Sequence, residues 1–414
     1  MLKKLSLAAL VAMGSMSLAN ATPLTEAIKN VNLSGMLRIR FYNESPENGN
    51  NWTAWRTNGV FIFKIPVAEN INFVFRNSTQ TFLKHTESND NGIAKTVNQV
   101  DSTMVNNLLF MNYHQDGFNA IAGKIPVATP ITSIDPATPT HGAGAIATYS
   151  FGNGFTVAGG FVTAMKNVAG YSVKSANDWN GTAVVTHYGA QANFDNYNYE
   201  GNVLNNDTYV LAGIYGNDAV KAQVWYFHVE NLLKYDVIAS ADLDLLKLAN
   251  MQNNYDVKFH VDYAASKLDD AVLANASTKN FWNVNVKGTV AGADLRVGYA
   301  YSSDDLGVID LSIDSPLAYS QAHTQQFYDI ADAQDCDMIY ADGSYNFTPA
   351  FKLTLAYNHI NDKSSDNDDL NEYTVQGDYA YNKKLSFQAY YDYADWKQSG
   401  QDNGEVRVQA LYKF

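Results

Sequence analysis

The chain has 414 residues, a formal net charge of −14 and only 17% charged residues. Its mean hydropathy of −0.25 is too polar for a bundle of membrane helices, and after residue 21 no run of about 18 apolar residues occurs that could form one spanning helix. The acidic balance argues against a nucleic acid as partner. With 27 Tyr and 20 Phe, the composition favours β-strands.

The first 21 residues predict a secretory signal peptide. Lys3 and Lys4 form a short basic segment, residues 5–18 are apolar or small, and residues 19–21 (Ala-Asn-Ala) fit a small-x-small cleavage site. Cleavage would remove both lysines and change the net charge from −14 to −16. We expect residues 22–414 to form one domain, because no linker or change of composition divides them.

Alternation of apolar and polar residues recurs along the rest of the chain. The first such segment places Leu37 and Ile39 on one face and Arg38 and Arg40 on the other. Strands that cross a lipid bilayer have this two-residue period, with apolar side chains toward lipid and polar side chains toward the lumen. About 18 strands are predicted, at residues 33–42, 55–65, 71–76, 104–114, 118–126, 142–151, 155–165, 208–215, 220–229, 233–246, 255–264, 281–289, 294–301, 337–347, 351–360, 372–381, 385–394 and 405–414. The segment 233–246 also fits a short helix.

The predicted connections alternate between two lengths. Short turns are expected on the side where the chain ends, at residues 115–117, 152–154, 216–218, 291–293 and 382–384. Long insertions are expected on the opposite side, at residues 79–103, 127–141, 166–207, 302–336 and 361–371. Short periplasmic turns and long extracellular loops are typical of outer-membrane barrels. We therefore predict an all-β fold, a transmembrane antiparallel β-barrel of about 18 strands, located in the cell outer membrane.

The last predicted strand, residues 405–414, ends on the aromatic residue Phe414. Aromatic residues near strand ends, such as Trp55 and Tyr391, predict belts at the two membrane interfaces. We expect the last strand to close the barrel and to be the segment through which the outer-membrane insertion machinery recognises the chain.

The insertion at residues 127–141 is the candidate constriction. It contains Pro130, Pro136 and Pro139, and proline cannot donate to a strand ladder. This segment therefore cannot extend the sheet, and we predict that it folds into the pore. An ordinary exposed turn is the alternative.

Charged residues at lumen-facing positions are the candidate pore-lining set. A charge that faced lipid near the membrane midplane would cost about 2–4 kcal/mol, so these side chains are expected to point inward. The predicted pore-lining and constriction residues are Arg38, Arg40, Arg56, Arg76, Asp135, Lys258, Asp262, Arg296, Asp342 and Arg407. Basic residues facing carboxylates across a narrow lumen would create a transverse field that filters solutes by charge.

Both ends of the chain resemble the Campylobacter-type major outer membrane porins. The resemblance is carried by residues 21–31 (ATPLTEAIKNV), 34–40 (SGMLRIR) and 406–414 (VRVQALYKF), and it is weaker between them. It implies an 18-stranded barrel that assembles as a homotrimer and acts as a porin, passing small hydrophilic solutes and ions by passive diffusion with a preference for cations. No cofactor is required, but the resemblance implies a calcium ion near the constriction, held by Asp135 and Asp262. A third carboxylate of the family falls at or next to Thr163 here.

The sequence leaves other classes of function open. A surface adhesin, or a substrate-selective channel, could use the long extracellular loops for binding. An enzyme is not predicted, because no nucleophile motif, nucleotide-binding loop or histidine ligand cluster is present. A porin that contacts the lipid bilayer and copies of itself is the leading hypothesis.

Overall fold

The computed structural model describes residues 29–48, 51–86, 96–168, 202–204, 206–251, 255–312, 314–321, 330–363, 369–397 and 402–414. The predicted signal peptide lies outside the described residues. In the ranges that are described, no helix combines the length and the apolar character needed to cross a membrane.

The described strands form one closed antiparallel sheet. β1 pairs with β2 on one side and with β19 on the other, so the sheet has no free edge. β8 has three residues and extends the pairing of β7, which otherwise pairs with β9, so the barrel has the predicted 18 strands. The strands are β1 (Asn32–Pro46), β2 (Trp52–Ala68), β3 (Ile71–Thr86), β4 (Thr96–Gln115), β5 (Phe118–Pro126), β6 (His141–Ser150), β7 (Phe155–Val168), β8 (Asn202–Leu204), β9 (Thr208–Gly216), β10 (Val220–Val229), β11 (Leu233–Asp244), β12 (Asp256–Leu268), β13 (Thr278–Val290), β14 (Ala293–Ser302), β15 (Cys336–Thr348), β16 (Phe351–Asp362), β17 (Leu370–Ala380), β18 (Leu385–Trp396) and β19 (Asn403–Lys413).

The two-residue period decides which side chains face lipid. In β1, Leu37 and Ile39 are about half exposed on the outer face, whereas Arg38 is buried inside the barrel. Trp55 and Tyr391, from the predicted aromatic belts, are also exposed on the outer face. The prediction of which face of these strands points to lipid is confirmed.

Two-residue turns connect strands at the end of the barrel where the chain ends. Asp116 and Gly117 join β4 to β5 with φ of 47° and 82°, and Ala291 and Gly292 join β13 to β14 with φ of 52° and 84°. Positive φ at both central residues is the geometry of the type I′ turn, whose twist matches that of the flanking strands. The predicted short turns at these two positions are confirmed.

Several predicted strand ends differ from the structure by a few residues, and two differences concern the connections. The segment 233–246 is a strand only as far as Asp244, after which α1 (Leu245–Leu248) begins. The Asp244 carboxylate accepts a hydrogen bond from the Lys247 backbone N–H (3.1 Å) and caps this helix. The insertion predicted at residues 79–103 is also shorter, because β3 continues to Thr86 and β4 begins at Thr96.

Candidate functional site at the constriction

Residues 127–140, here called inner loop 1, connect β5 to β6 and fold into the barrel as predicted. Ile131 and Thr132 are almost completely buried. The loop is closed by its own hydrogen bonds: Thr132 Oγ1 donates to the Val127 carbonyl (2.6 Å), and the Val127 N–H donates to the Thr140 carbonyl (2.9 Å). The alternative of an exposed turn is wrong.

Two arginines of the barrel wall hold the tip of inner loop 1. Arg38, on β1, donates to both carboxylate oxygens of Asp135 at 2.9 and 3.1 Å. Arg76, on β3, donates to the carbonyls of Pro136 (2.5 Å) and Ala137 (3.3 Å). The planar fork of the Arg38 guanidinium matches the carboxylate of Asp135, and the two arginines together fix the loop in position.

The charge of Asp135 is set by this contact. Burial alone would raise the pKa of its carboxyl, but the charge and hydrogen bonds of Arg38 outweigh burial, and the charge of Arg40 adds to them. The pKa of Asp135 is therefore held well below its usual range, and the side chain is ionised at neutral pH.

Residues 303–335, here called inner loop 2, connect β14 to β15, and part of the described residues among them also enters the barrel. Their described part contains α2 (Pro316–Gln321). Main-chain hydrogen bonds join the two inner loops, since the Leu311 N–H donates to the Ile131 carbonyl and the Leu317 N–H to the Pro130 carbonyl, both at 2.9 Å. The sequence prediction placed this segment among the extracellular loops, but its run of apolar residues was a signal that part of it is buried.

α2 is attached to the wall at Asp262, on β12. The Asp262 carboxylate accepts hydrogen bonds from Ser320 Oγ (2.6 Å) and from Asn283 Nδ2 (2.9 Å). His260 lies between two carboxylates, with Nε2 2.7 Å from Asp262 and Nδ1 2.9 Å from Asp242. The Ser320 hydroxyl donates to a carboxylate and not to His260, so this cluster lacks the hydroxyl–imidazole contact of a nucleophile and its base.

Arg296, on β14, is a second attachment of α2. Its Nε donates to Asp342 at 2.5 Å, and its Nη1 donates to the Ser320 carbonyl at 3.3 Å. The Tyr340 ring lies 5.3 Å from the guanidinium carbon. This ring occupies the space above Gly298, where an added Cβ would lie 2.2 Å from the Tyr340 ring carbon Cζ.

The other predicted arginines form a basic sector on β19, β1 and β2. Arg40 and Arg56 are direct neighbours across β1 and β2. Arg40 donates to Gln409 (2.6 Å) and Arg56 to Gln80 (2.9 Å). In β19, Arg407 donates to Gln388 and its guanidinium carbon lies 4.3 Å from the centre of the Tyr390 ring.

A row of carboxylates on neighbouring strands was missed by the sequence prediction. Glu405 is in register with Glu44 of β1 and with Asp392 of β18, and Glu372 lies on the same inner face of β17. Asp392 and Glu372 have no exposed surface. Each accepts a hydrogen bond from a neutral neighbour, for instance Asp392 from the Thr374 hydroxyl. Their positions follow the same alternation that selected Arg407, so the strand period could have identified them.

The remaining predicted residues do not meet at one site. Lys258 pairs with Asp256, its neighbour on the same strand, and Asp135 and Asp262 are engaged by different partners. Both oxygens of Asp135 accept from a guanidinium, so neither is free for a calcium ion in this arrangement. Within the described ranges, no group of three or more His, Cys, Asp or Glu side chains is placed to hold a metal. The residues as arranged do not fit a calcium site.

The model of one protein family matches the chain from residue 1 to residue 414, under the description Campylobacter major outer membrane protein. The chain belongs to this family. Membership confirms the resemblance seen at the two ends of the sequence and the predicted location in the outer membrane. The family and the barrel fold are those of porin-like channels, which are not enzymes. No curated protein matches the sequence.

Solved structures of outer-membrane channels share the fold at low sequence identity. Pseudomonas aeruginosa OccK7 (OpdD) is 12% identical with a TM-score of 0.70, and the match covers 93% of this chain and 99% of that one. P. aeruginosa OpdK, crystallised with vanillate, is 10% identical with the same TM-score and coverage. Acinetobacter baumannii OccAB4 is 12% identical with a TM-score of 0.67, over 93% and 98% of the two chains. At these identities the likeness establishes the fold alone.

Proposed function

We propose that this porin-like barrel is a passive diffusion channel for small hydrophilic solutes and ions, with a preference for cations. A barrel of 16–18 strands encloses an aqueous lumen unless other segments narrow it. Here two inner loops narrow it, so charges beside them act on a passing solute at short range. The observation that carries the cation preference is the excess of acidic over basic residues in the chain, 42 against 28.

The balance of charge on the wall favours cations over anions. Arg38 is neutralised by Asp135, and the Arg76 guanidinium is almost fully buried and donates to backbone carbonyls, so neither presents an exposed charge to an anion. Arg40, Arg56 and Arg407 oppose the acidic excess but belong to one sector. Fields between charged groups in a narrow lumen are strong because the wall has a low dielectric constant.

A reversal potential measured in a KCl gradient tests the proposal. Wild-type protein in planar bilayers should give ohmic steps and a reversal potential of cation sign. Neutralising two inner-face carboxylates that keep exposed surface, by Asp242→Asn with Asp378→Asn, should lower the cation preference, whereas Asp116→Asn in an exposed periplasmic turn is the matched control. At about 0.1 M salt, charges farther than about 10 Å from the ion path are screened, so the reversal potential of the control variant should equal that of wild type. An unchanged reversal potential in the double variant would place the selectivity elsewhere.

Bound calcium stays a prediction from the family resemblance. Calcium needs several oxygen ligands and usually more than one carboxylate, and at Asp135 it would have to displace Arg38. Melting temperatures in calcium and in EDTA decide the matter. An increase of the melting temperature in calcium that is abolished by Asp135→Asn with Asp262→Asn would support a bound calcium ion. Equal melting temperatures in calcium and in EDTA would contradict it.

Two further expectations concern partners and loops. The homotrimer implied by the resemblance predicts conductance steps in groups of three and a trimer on chemical cross-linking.

The adhesin alternative depends on the insertion at residues 166–207, most of which lies outside the described residues, and it stays a prediction.

A further inference from the structure

A cavity of about 370 Å³ opens in the lower wall of the lumen, between β12 and β15. It lies beside the β13–β14 turn, toward the periplasmic end. Six charged residues line it: Asp256, Lys258, Lys287, Asp294, Arg296 and Asp342. Its volume falls in the lower part of the range for small-molecule sites, which is roughly 300–1,000 Å³.

The three cationic side chains come from direct neighbours in the sheet. Lys258 is in register with Lys287, and Lys287 is in register with Arg296. Like charges placed directly opposite each other destabilise a sheet. A compensating negative charge is therefore expected at this wall.

Direct ion pairs with described residues provide that compensation for two of the three cations, while Asp242 on β11 acts on the third only at longer range. Lys258 forms an ion pair with Asp256, and Arg296 forms one with Asp342 at 2.5 Å. Lys287, in the middle, makes no hydrogen bond or ion pair with any described residue. Asp294 is the corresponding anion without an ion pair. Among the described residues, its carboxylate accepts a hydrogen bond only from the neutral Thr289 hydroxyl (2.6 Å).

The geometry points to a zwitterionic solute, such as a free α-amino acid, that binds with its carboxylate at Lys287 and its ammonium at Asp294. The six lining charges sum to zero, so a solute with a net charge would leave one wall charge uncompensated, whereas a zwitterion leaves none. Thr289 is in register with Asp294, and Lys287 with Arg296. Lys287 and Asp294 are therefore diagonal neighbours, about 7–8 Å apart at their Cα atoms, a spacing that a small dipolar molecule can bridge.

This inference rests on the proposed function, since the solute reaches the cavity through the lumen. The test uses full-length protein reconstituted in planar bilayers, with KCl as the current carrier and alanine, propionate and ethylamine as probes. Alanine should interrupt the current at lower concentration than propionate or ethylamine, each of which carries one of its two charges.

The variants assign the effect to the cavity. Lys287→Gln should raise the half-blocking concentration of alanine about five-fold, as expected for loss of one solvent-accessible ion pair, and Asp294→Asn should do the same. Lys287→Arg should retain the block. Lys221→Gln is the matched control, because Lys221 shares the inner face of β10 with the buried Trp225 and Phe227 and lies outside the cavity.

The outcomes separate the two proposals. Absence of KCl steps from folded wild-type protein would overturn the channel itself. Normal steps with the same alanine block in Lys287→Gln and wild type would overturn the site alone. Block by propionate as effective as block by alanine would show a simple anion site and overturn the zwitterion assignment.

Discussion

At the scale of single residues, the Asp135–Arg38 pair is the one ion pair among the contacts that hold the tip of inner loop 1 on the barrel wall. The two side chains retain only 13% and 4% of their exposure. When one partner of a buried ion pair is removed, the other charge is left without compensation in a medium of low dielectric constant. The pair is therefore sensitive to substitution, even though its net contribution relative to an apolar pair is small.

We expect Asp135→Asn to destabilise the folded barrel, because it leaves Arg38 buried without a counter-charge. Loss of one member of such a pair costs about 3–5 kcal/mol. Urea unfolding in detergent, followed by tryptophan fluorescence, measures the change. Asp314→Asn in inner loop 2 is the control: burial, and then the charge of Asp135, raises the pKa of Asp314, so its neutralisation should cost little. Equal losses in the two variants would contradict this account of the pair.

Acid should weaken the same contact. The pKa of Asp135 is lower in the folded protein than in the unfolded chain, so below the ordinary aspartate value of about 4 the unfolded state binds the extra proton first. The stabilisation from Asp135 is therefore complete above about pH 4 and is lost as the pH falls further. The difference between the melting temperatures of wild type and Asp135→Asn should begin to shrink as the pH falls below about 5 and should still be shrinking at about pH 2. A constant difference between the two proteins over that range would show that the carboxylate charge does not stabilise the fold.

At the scale of elements, α2 is held inside the lumen from both sides. Ser320 donates to Asp262 and its carbonyl accepts from Arg296, while Leu317 is bonded to inner loop 1. A short helix with few internal hydrogen bonds is marginal alone, so these contacts hold it in place. We infer that α2 limits the cross-section of the channel.

Replacing α2 (Pro316–Gln321) by a Gly-Ser segment of equal length should therefore enlarge the single-channel KCl steps. The replacement removes apolar side chains and the Ser320 contacts but keeps the chain length. The same replacement in residues 270–275, in the connection between β12 and β13, is the control and should leave the steps unchanged. Steps of wild-type size in the α2 variant would mean that the narrowest part of the lumen lies elsewhere.

The elements also show what sequence can predict here. Strand number and facing follow from the two-residue period, because one buried and one lipid-facing side impose it on every strand. Inner loop 1 was predictable because its prolines exclude it from the sheet. The docking of inner loop 2 was not, since it depends on main-chain bonds such as that between Leu311 and Ile131, which join residues far apart in sequence. Sequence also cannot show that Lys287 lacks an ion pair with the described residues. This becomes evident only when its neighbours Lys258 and Arg296 are seen to form ion pairs of their own.

At the scale of the whole molecule, the barrel closes where its first and last strands meet. Gly35 and Phe414 exchange two backbone hydrogen bonds at 3.0 and 3.1 Å. The Phe414 ring packs 6.0 Å from the rings of Phe61 and Tyr412. Glycine is required at position 35, because an added Cβ would lie 2.0 Å from the Val60 carbonyl oxygen. A closed sheet has no unpaired edge, which is what allows strands to exist in lipid.

We therefore expect deletion of Phe414, or Phe414→Asp, to prevent assembly of the barrel. Deletion removes the last hydrogen bonds of the closing strand pair, and the aspartate places a charge against the rings of Phe61 and Tyr412. The outer-membrane insertion machinery is also expected to recognise this end of the chain. Surface abundance, together with the mobility of heated and unheated samples on gels, measures folded protein in the membrane. Phe414→Tyr keeps both the ring and the backbone bonds and is the matched control, so it should assemble as wild type does. Normal surface levels of the deletion variant would show that the seam between β1 and β19 closes without its terminal residue.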